Sequence, residues 1–359
     1  MADANARSAN PQAALAARPA TPRRRRQASP TTIALFVTAA VGVVQFYEPP
    51  RDLFKKPFGS ERQIVALPVV QPSVNAFGTS GEVNVRFALP AREVEYPLDV
   101  SGDASDVRYT WVRMGDAAAT ADSGGARLLG GPDLVAPDQP GMYQLALVRG
   151  SERRLIEGPW LAVMVPFSQK LGTTLNGYRI GTYVAERLGA GARHDRPDGF
   201  VEVSRESAEL PITKHLRLGD FITRDGQETW PRYTALNPRL LDKLELVIAE
   251  VARLRGDSSR LRVSVDVHSG FRTPSYNRTV SRSARDSRHQ YGDAADVTID
   301  ANFDGRYTAF DSRLVAAAVE NVERDHPELA GGLGIYTSAR YRTPYVHIDA
   351  RGTRARWRG

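Results

Sequence analysis

Six histidines and no cysteine set limits on the chemistry open to this chain of 359 residues. Without cysteine there is no disulfide scaffold, no thiolate metal site and no cysteine nucleophile. Any metal must be held by histidine and carboxylate. Two of the six histidines stand in company. The run Ser287-Arg288-His289-Gln290-Tyr291-Gly292-Asp293-Ala294-Ala295-Asp296 sets a His and an Asp seven positions apart, with Gly292 and two alanines between them. Glycine permits a sharp turn, and the alanines let that turn sit close to its neighbours. His289 on a loop and Asp296 entering a strand can then converge on one point. In Pro344-Tyr345-Val346-His347-Ile348-Asp349, a period of two puts Tyr345, His347 and Asp349 on one strand face, with Val346 and Ile348 on the buried face. Two histidines and one carboxylate, with a fourth position open to water, make a catalytic zinc set. His289, Asp296 and His347 are the ligands this pattern offers.

The elements that must position them are an alternation of helices and short strands. Asn237-Pro238 is a cap followed by a first-turn proline. Leu240, Leu241, Leu244, Val247, Ile248, Val251 and Leu254 then share one helical face, and Gly256 closes the run. A second amphipathic helix is predicted from near Asp311 to Glu323, with Leu314, Ala317, Ala318 and Val322 inward. Strand-like runs cover Leu261 to Val267, Ala295 to Ile299 and Tyr345 to Asp349. This predicts an α+β domain. The Arg-rich end (Arg351, Arg354, Arg356, Arg358) reads as a solvated tail.

The rest of the chain is of different character. Residues 1–30 hold six Arg against one acid, Asp3, which leaves 42 bases and 40 acids elsewhere. A basic face for nucleic acid would need charge on the folded part, so nucleic-acid binding is disfavoured. Arg23 to Arg26 precede an apolar run from Ile33 to Phe46, the pattern of a secretion signal or signal anchor. No small-x-small cleavage site follows, which favours an uncleaved anchor over 31–47. The positive-inside rule then sends everything beyond it across the cytoplasmic membrane into the periplasm, with release after cleavage as the alternative. Residues 48–75, rich in proline, read as a linker. From 76 to 167 short alternating runs (Val83 to Phe87, Tyr109 to Arg113, Met142 to Val148) punctuated by Gly and Pro predict a small β-sandwich, a spacer or binding module. Residues 168–211 connect it to the region at 212–359 that carries the chemistry.

The string Ser-x-His-x-x-Gly-x-Ala-x-Asp at 287–296 resembles the signature of the zinc D-alanyl-D-alanine peptidases, relatives of the Hedgehog signalling domain. Ser269-Gly270-Phe271-Arg272-Thr273-Pro274 with Asn277, the closing His347-Ile348-Asp349-Ala350-Arg351-Gly352, and His215-Leu216-Arg217-Leu218-Gly219-Asp220-Phe221 are similar to further elements of that family, in order. The resemblance covers roughly 212–359. It implies an antiparallel sheet with helices, zinc held by His289, Asp296 and His347, and Arg272 as the cation that stabilises the oxyanion. It also implies Ser287 in the substrate pocket. The implied reaction is metal-assisted hydrolysis of D-amino-acid-containing peptides of peptidoglycan, of carboxypeptidase or endopeptidase type.

One departure matters. Family members carry a general base three positions before the last zinc histidine, or a histidine two before it; here those positions are Pro344 and Tyr345. Tyr345, on the site face of its strand, is then read as a substrate contact. Asp349 is the nearest carboxylate on that face, as base or as a residue that orients a ligand. His268 is another conceivable proton carrier. Two functions stay open: a membrane-anchored zinc peptidase, and a zinc-containing wall-binding or structural module that has lost its base.

Overall fold

Asn237 begins the longer helix through its side chain, which accepts from Arg239 N at 3.0 Å, and the helix runs Pro238–Leu254. Such a cap is worth about 1 kcal/mol. This helix belongs to a computed structural model that describes residues 67–73, 77–115, 125–131, 133–256, 263–337 and 343–359. These all lie in one unit, Arg62–Gly359. The basic tail, the anchor at 31–47 and most of the linker lie outside the described residues, as do Leu261 and Arg262. Among the described residues no helix is long and apolar enough to cross a membrane.

Leu240, Leu241, Leu244, Val247, Ile248 and Val251 are buried as their spacing predicts, whereas Leu254 at the helix end is 37% exposed. The second helix, Ala309–Asp325, starts two residues before Asp311 because Thr308 caps it and Asp311 Oδ2 returns to Thr308 N at 2.7 Å. Its inward face is Val315, Ala316, Ala318, Val319 and Val322. Ala317 is exposed and Leu314 half-buried. The helix is wedged between the longer helix and the sheet, so its apolar stripe is centred one residue away from the one predicted.

Both helices cover one face of a five-stranded sheet whose order is Val265–Ser269, Ala294–Ile299, Tyr345–Asp349, Gly332–Tyr336, Ala355–Arg358. The first four strands pair antiparallel, and the fifth runs parallel to Gly332–Tyr336. The sheet is therefore mixed rather than antiparallel throughout, and the C-terminus is an edge strand rather than a solvated tail. The alternation Ala355-Arg356-Trp357-Arg358 explains why: one face lays Trp357 on the sheet, while Arg356 pairs with Glu320 and Glu323 of the second helix. Val297, Ile299, Leu333, Val346 and Ile348 point at the helices. Each such buried side chain contributes about 1.5–3 kcal/mol. The opposite face carries Asp296, His347 and Asp349 together with the rings of Tyr336, Tyr345 and Trp357.

The described residues between 77 and 166 are strand and loop. A six-stranded sheet includes Val85–Ala88, Arg108–Arg113, Gly141–Arg149 and Trp160–Val163, with two further antiparallel strand pairs beside it. These close over a core of Tyr96, Trp111, Tyr143, Leu145 and Leu147. Val83, Val85, Met142 and Ala162 join the core of the helical region. Asp242 on the longer helix accepts Thr79 N at 2.9 Å and Ser80 N at 2.7 Å, tying the two regions together. The stretch at 168–211 carries the strand Gly199–Val203, which pairs with Arg232–Thr234, and an aromatic cluster that includes Tyr178, Tyr183 and Phe200.

Candidate metal centre

Strand register brings Asp296 and His347 together. Asp296 stands directly across from His347, His347 from Gly334, and Gly334 from Trp357, so these residues form one row on the face away from the helices. Gly334 is required by this row. A Cβ there would lie 2.4 Å from Trp357 Nε1, because the indole covers the glycine on its way to His347, 5.1 Å from ring to ring.

His289 arrives from a short 3-10 turn, Arg288–Tyr291, closed by Gly292 at φ +71°. That left-handed backbone suits glycine, and space demands it too: a Cβ would lie 2.2 Å from the carbonyl oxygen of Ala235. The turn is held from behind by Arg272 N donating to His289 O at 3.0 Å and Asn237 N to Gly292 O at 2.9 Å.

Each ring is fixed by its outer nitrogen. His289 Nδ1 donates to Gly270 O at 2.7 Å, and His347 Nε2 donates to Asp349 Oδ2 at 3.2 Å. The inner atoms, His289 Nε2, His347 Nδ1 and Asp296 Oδ1, are 3.2, 3.3 and 2.9 Å from one another. Ligands of a tetrahedral zinc, bound at about 2.0–2.2 Å, stand about 3.3–3.6 Å apart; the two separations from His289 are close to that, and the 2.9 Å between His347 and Asp296 has a few tenths of an ångström to open. All three residues are buried, at 2%, 4% and 7% exposure for His289, Asp296 and His347. They are the one such group of His and carboxylates among the described residues.

Two of the three groups, His289 and Asp296, are held in the state a metal needs, and His347 must give up a proton to bind one. Burial pushes His289 down from its usual range, which keeps the ring neutral. Burial pushes the Asp296 carboxyl up, but His289 and His347 outweigh it and hold the group well below the carboxylate range. Burial lowers His347 as well, but its hydrogen bonds to Asp296 and Asp349 raise it above its usual value.

The sequence-predicted site residues fall around this triad. Arg272 pairs with Asp296 Oδ2 through Nη2 and donates from Nε to Ser269 Oγ at 2.7 Å. Its Nη1 keeps no partner among the described residues, and Arg272 lines the cleft. Ser287 lines the same cleft, and its hydroxyl likewise has no partner among the described residues. Tyr345 stacks on Tyr336, 4.5 Å between centroids, and on His268 at 5.6 Å, forming an aromatic wall. Asp349, read from sequence as a base or an orienting group, is fully buried and spoken for. It takes His347 Nε2, Arg351 Nε at 2.9 Å and Gly332 N at 2.7 Å. His347's own ring lies between Asp349 and the inner ligand atoms, which is the position of a group that orients the histidine. The element around His215 is structural: His215 Nδ1 and Glu245 Oε2 are 2.7 Å apart, with Thr213 on the same carboxylate.

The cleft over the triad has a volume of about 640 Å³. Its walls include residues that carried no signal in the sequence: Arg193, His194, Asp286 and Trp357. Arg193 and His194 lie on a loop some hundred residues from the triad in sequence. Asp286 sits beside the Ser-x-His string and could have been noticed there as a neighbouring carboxylate.

Residues 234–349 match the family model described as Peptidase M15, and none of the curated proteins matches the chain. Peptidases of this family are zinc-dependent, and the buried His–Asp–His group can hold the ion. The part of the chain built around this triad is a zinc peptidase domain of the M15 kind.

Proposed function

We propose that this chain hydrolyses D-amino-acid-containing peptides of peptidoglycan, as a D-Ala-D-Ala carboxypeptidase or endopeptidase. Residues 31–47 hold it at the outer face of the cytoplasmic membrane. The observation that carries this reading is a metal group of three donors, with no fourth His or carboxylate joining it among the described residues, on the wall of a cleft. A structural zinc closes its site with four protein ligands, while a catalytic one keeps a position free.

Zinc bound there supplies a Lewis acid and brings the pKa of its water to about 7. Arg272 receives the substrate carbonyl oxygen on Nη1, where developing charge meets a guanidinium already fixed by Asp296 and Ser269. Ser287 and the Tyr345 ring position the peptide. The proton of the attacking water passes to a carboxylate. Asp286 fills that role here, because it and Asp296 are the carboxylates that line the cleft among the described residues. Tyr291 donates its hydroxyl to Asp286 Oδ1, which fixes the group.

A second reading, a wall-binding module with a retired metal site, draws on Pro344 and Tyr345 standing where a base is expected. Digestion of purified muropeptides by the zinc-loaded full chain, resolved by mass spectrometry, separates the two. The peptidase reading expects a shortened peptide, which names the bond, with no product from His289→Ala. It also expects kcat about a hundredfold lower or more for Asp286→Asn at unchanged zinc content. Intact muropeptides at one zinc per chain would favour the wall-binding module.

A further inference from the structure

Five arginines line the cleft, and three are already committed: Arg272 to Asp296, Arg288 to Asp293, and Arg351 to Asp349. Arg193 and Arg282 are exposed and have no carboxylate partner among the described residues. They come from two separate segments, one of them outside the stretch that matches the peptidase family.

His194 stands beside Arg193 and is held on two sides. Its Nδ1 is 2.8 Å from Arg288 Nη1, and its ring meets Tyr291 edge-on at 5.2 Å. A guanidinium only donates, so Nδ1 must accept and the proton sits on Nε2. Burial, and then the Arg288 charge, push the ring's pKa down and keep it neutral. Nε2 has no partner among the described residues. The cleft is therefore lined by an N–H donor fixed in tautomer and by two guanidiniums with no carboxylate partner among the described residues. Paired forks and N–H groups of this kind fit a carboxylate.

We propose that Arg193, His194 and Arg282 form a carboxylate-receiving rim, so that this peptidase selects a peptide with a free carboxylate away from the bond it cuts. The segment at 168–211 is thus part of the substrate site. This rests on the peptidase reading for the bond, but not for the recognition.

The test uses two synthetic pentapeptides ending in D-Ala-D-Ala, identical except that one internal carboxylate is free in the first and amidated in the second. Binding to the zinc-loaded full chain is measured by calorimetry, and cleavage by kcat and KM. The free-carboxylate peptide is expected to bind about tenfold tighter or more, as for a charge-assisted contact. The preference appears in KM rather than kcat. It is lost in Arg193→Ala/Arg282→Ala and weakened in His194→Leu. It is restored in His194→Gln, whose amide accepts from Arg288 and still offers an N–H. Zinc content and melting temperature stay at the wild-type values. Equal binding of the two peptides, binding of neither, or a preference that survives in the double arginine variant overturns the proposal. Binding with the expected preference but no cleavage sustains it and removes the peptidase reading instead.

Discussion

Asp349 and His347 lie on the same face of one strand, with Asp349 Oδ2 3.2 Å from His347 Nε2, the ring nitrogen opposite the one that faces Asp296 and His289. The carboxylate thus sets the tautomer of a metal-binding histidine. Arg351 and Gly332 N, bound to the same carboxylate, set the carboxylate in turn. Such partners typically change metal affinity 10–100-fold. Asp349→Asn, which keeps the shape but weakens the acceptor, is expected to lower zinc affinity by about that factor. At saturating zinc, most of the activity should return. A base would behave otherwise, with kcat down at every zinc concentration. Competition with a chromophoric chelator, run beside the rate, separates the two.

Zinc binding depends on pH through His347. Burial lowers its pKa, but Asp296 and Asp349 outweigh this and raise it above 6.5 in the metal-free protein. The metal needs Nδ1 without its proton. Zinc affinity is therefore expected to climb as pH rises through that elevated value. The metal-free fold behaves in the opposite sense. A raised pKa means that the folded state holds the proton more tightly, so this stabilisation is complete below about 6.5 and lost as pH rises through the folded value. Melting with and without EDTA from pH 5.5 to 8.5 should show the two curves diverging upward in pH. The zinc-bound form is ahead by about 4 kcal/mol when free zinc is a thousand times its dissociation constant.

Lys243 is fully buried and donates from Nζ to Glu323 Oε1 and to Asp349 O, each at 2.7 Å. It ties the longer helix to the second helix and to the strand that carries His347. Removing one partner of a buried pair leaves a charge uncompensated and costs about 3–5 kcal/mol. Lys243→Met is expected near the lower end, because Glu323 keeps Arg356 and Gly331 N. Urea unfolding measures it, with the slope unchanged.

Gly334 tests the ladder row. Gly334→Ala puts a methyl where the Trp357 indole lies, so Trp357 must leave its place beside His347. Overpacking of this kind costs about 1–3 kcal/mol. A shift in tryptophan fluorescence should accompany weaker peptide binding, while zinc stoichiometry holds, because none of the three ligands is displaced.

The triad could be read from sequence because its information is local. A turn glycine followed by small residues, and a period of two around His347, fix which side chains share a face. The longer helix was legible for the same reason, since its cap, stripe and closing glycine are all short-range. What escaped depends on distant pairing. Ala355–Arg358 looked like a charged tail because its value lies in the neighbour it adds to, Gly332–Tyr336, and in the acids Glu320 and Glu323 that neutralise it. Arg193 and His194 carry no motif, and only the fold sets them across from residues 280–288. Asp349 was correctly placed on the site face, but spacing of two cannot say whether a carboxylate faces the open coordination position or the back of a ring.

The most direct test of the account is hydrolysis of a D-Ala-D-Ala-ended muropeptide followed while zinc is titrated into the metal-free full chain. The account predicts a rate that rises in proportion to bound zinc and saturates at one zinc per chain, with neither binding nor rate in His289→Ala at the same concentrations. A rate that stays at its full value with no zinc bound, or that survives unchanged in His289→Ala, would contradict it.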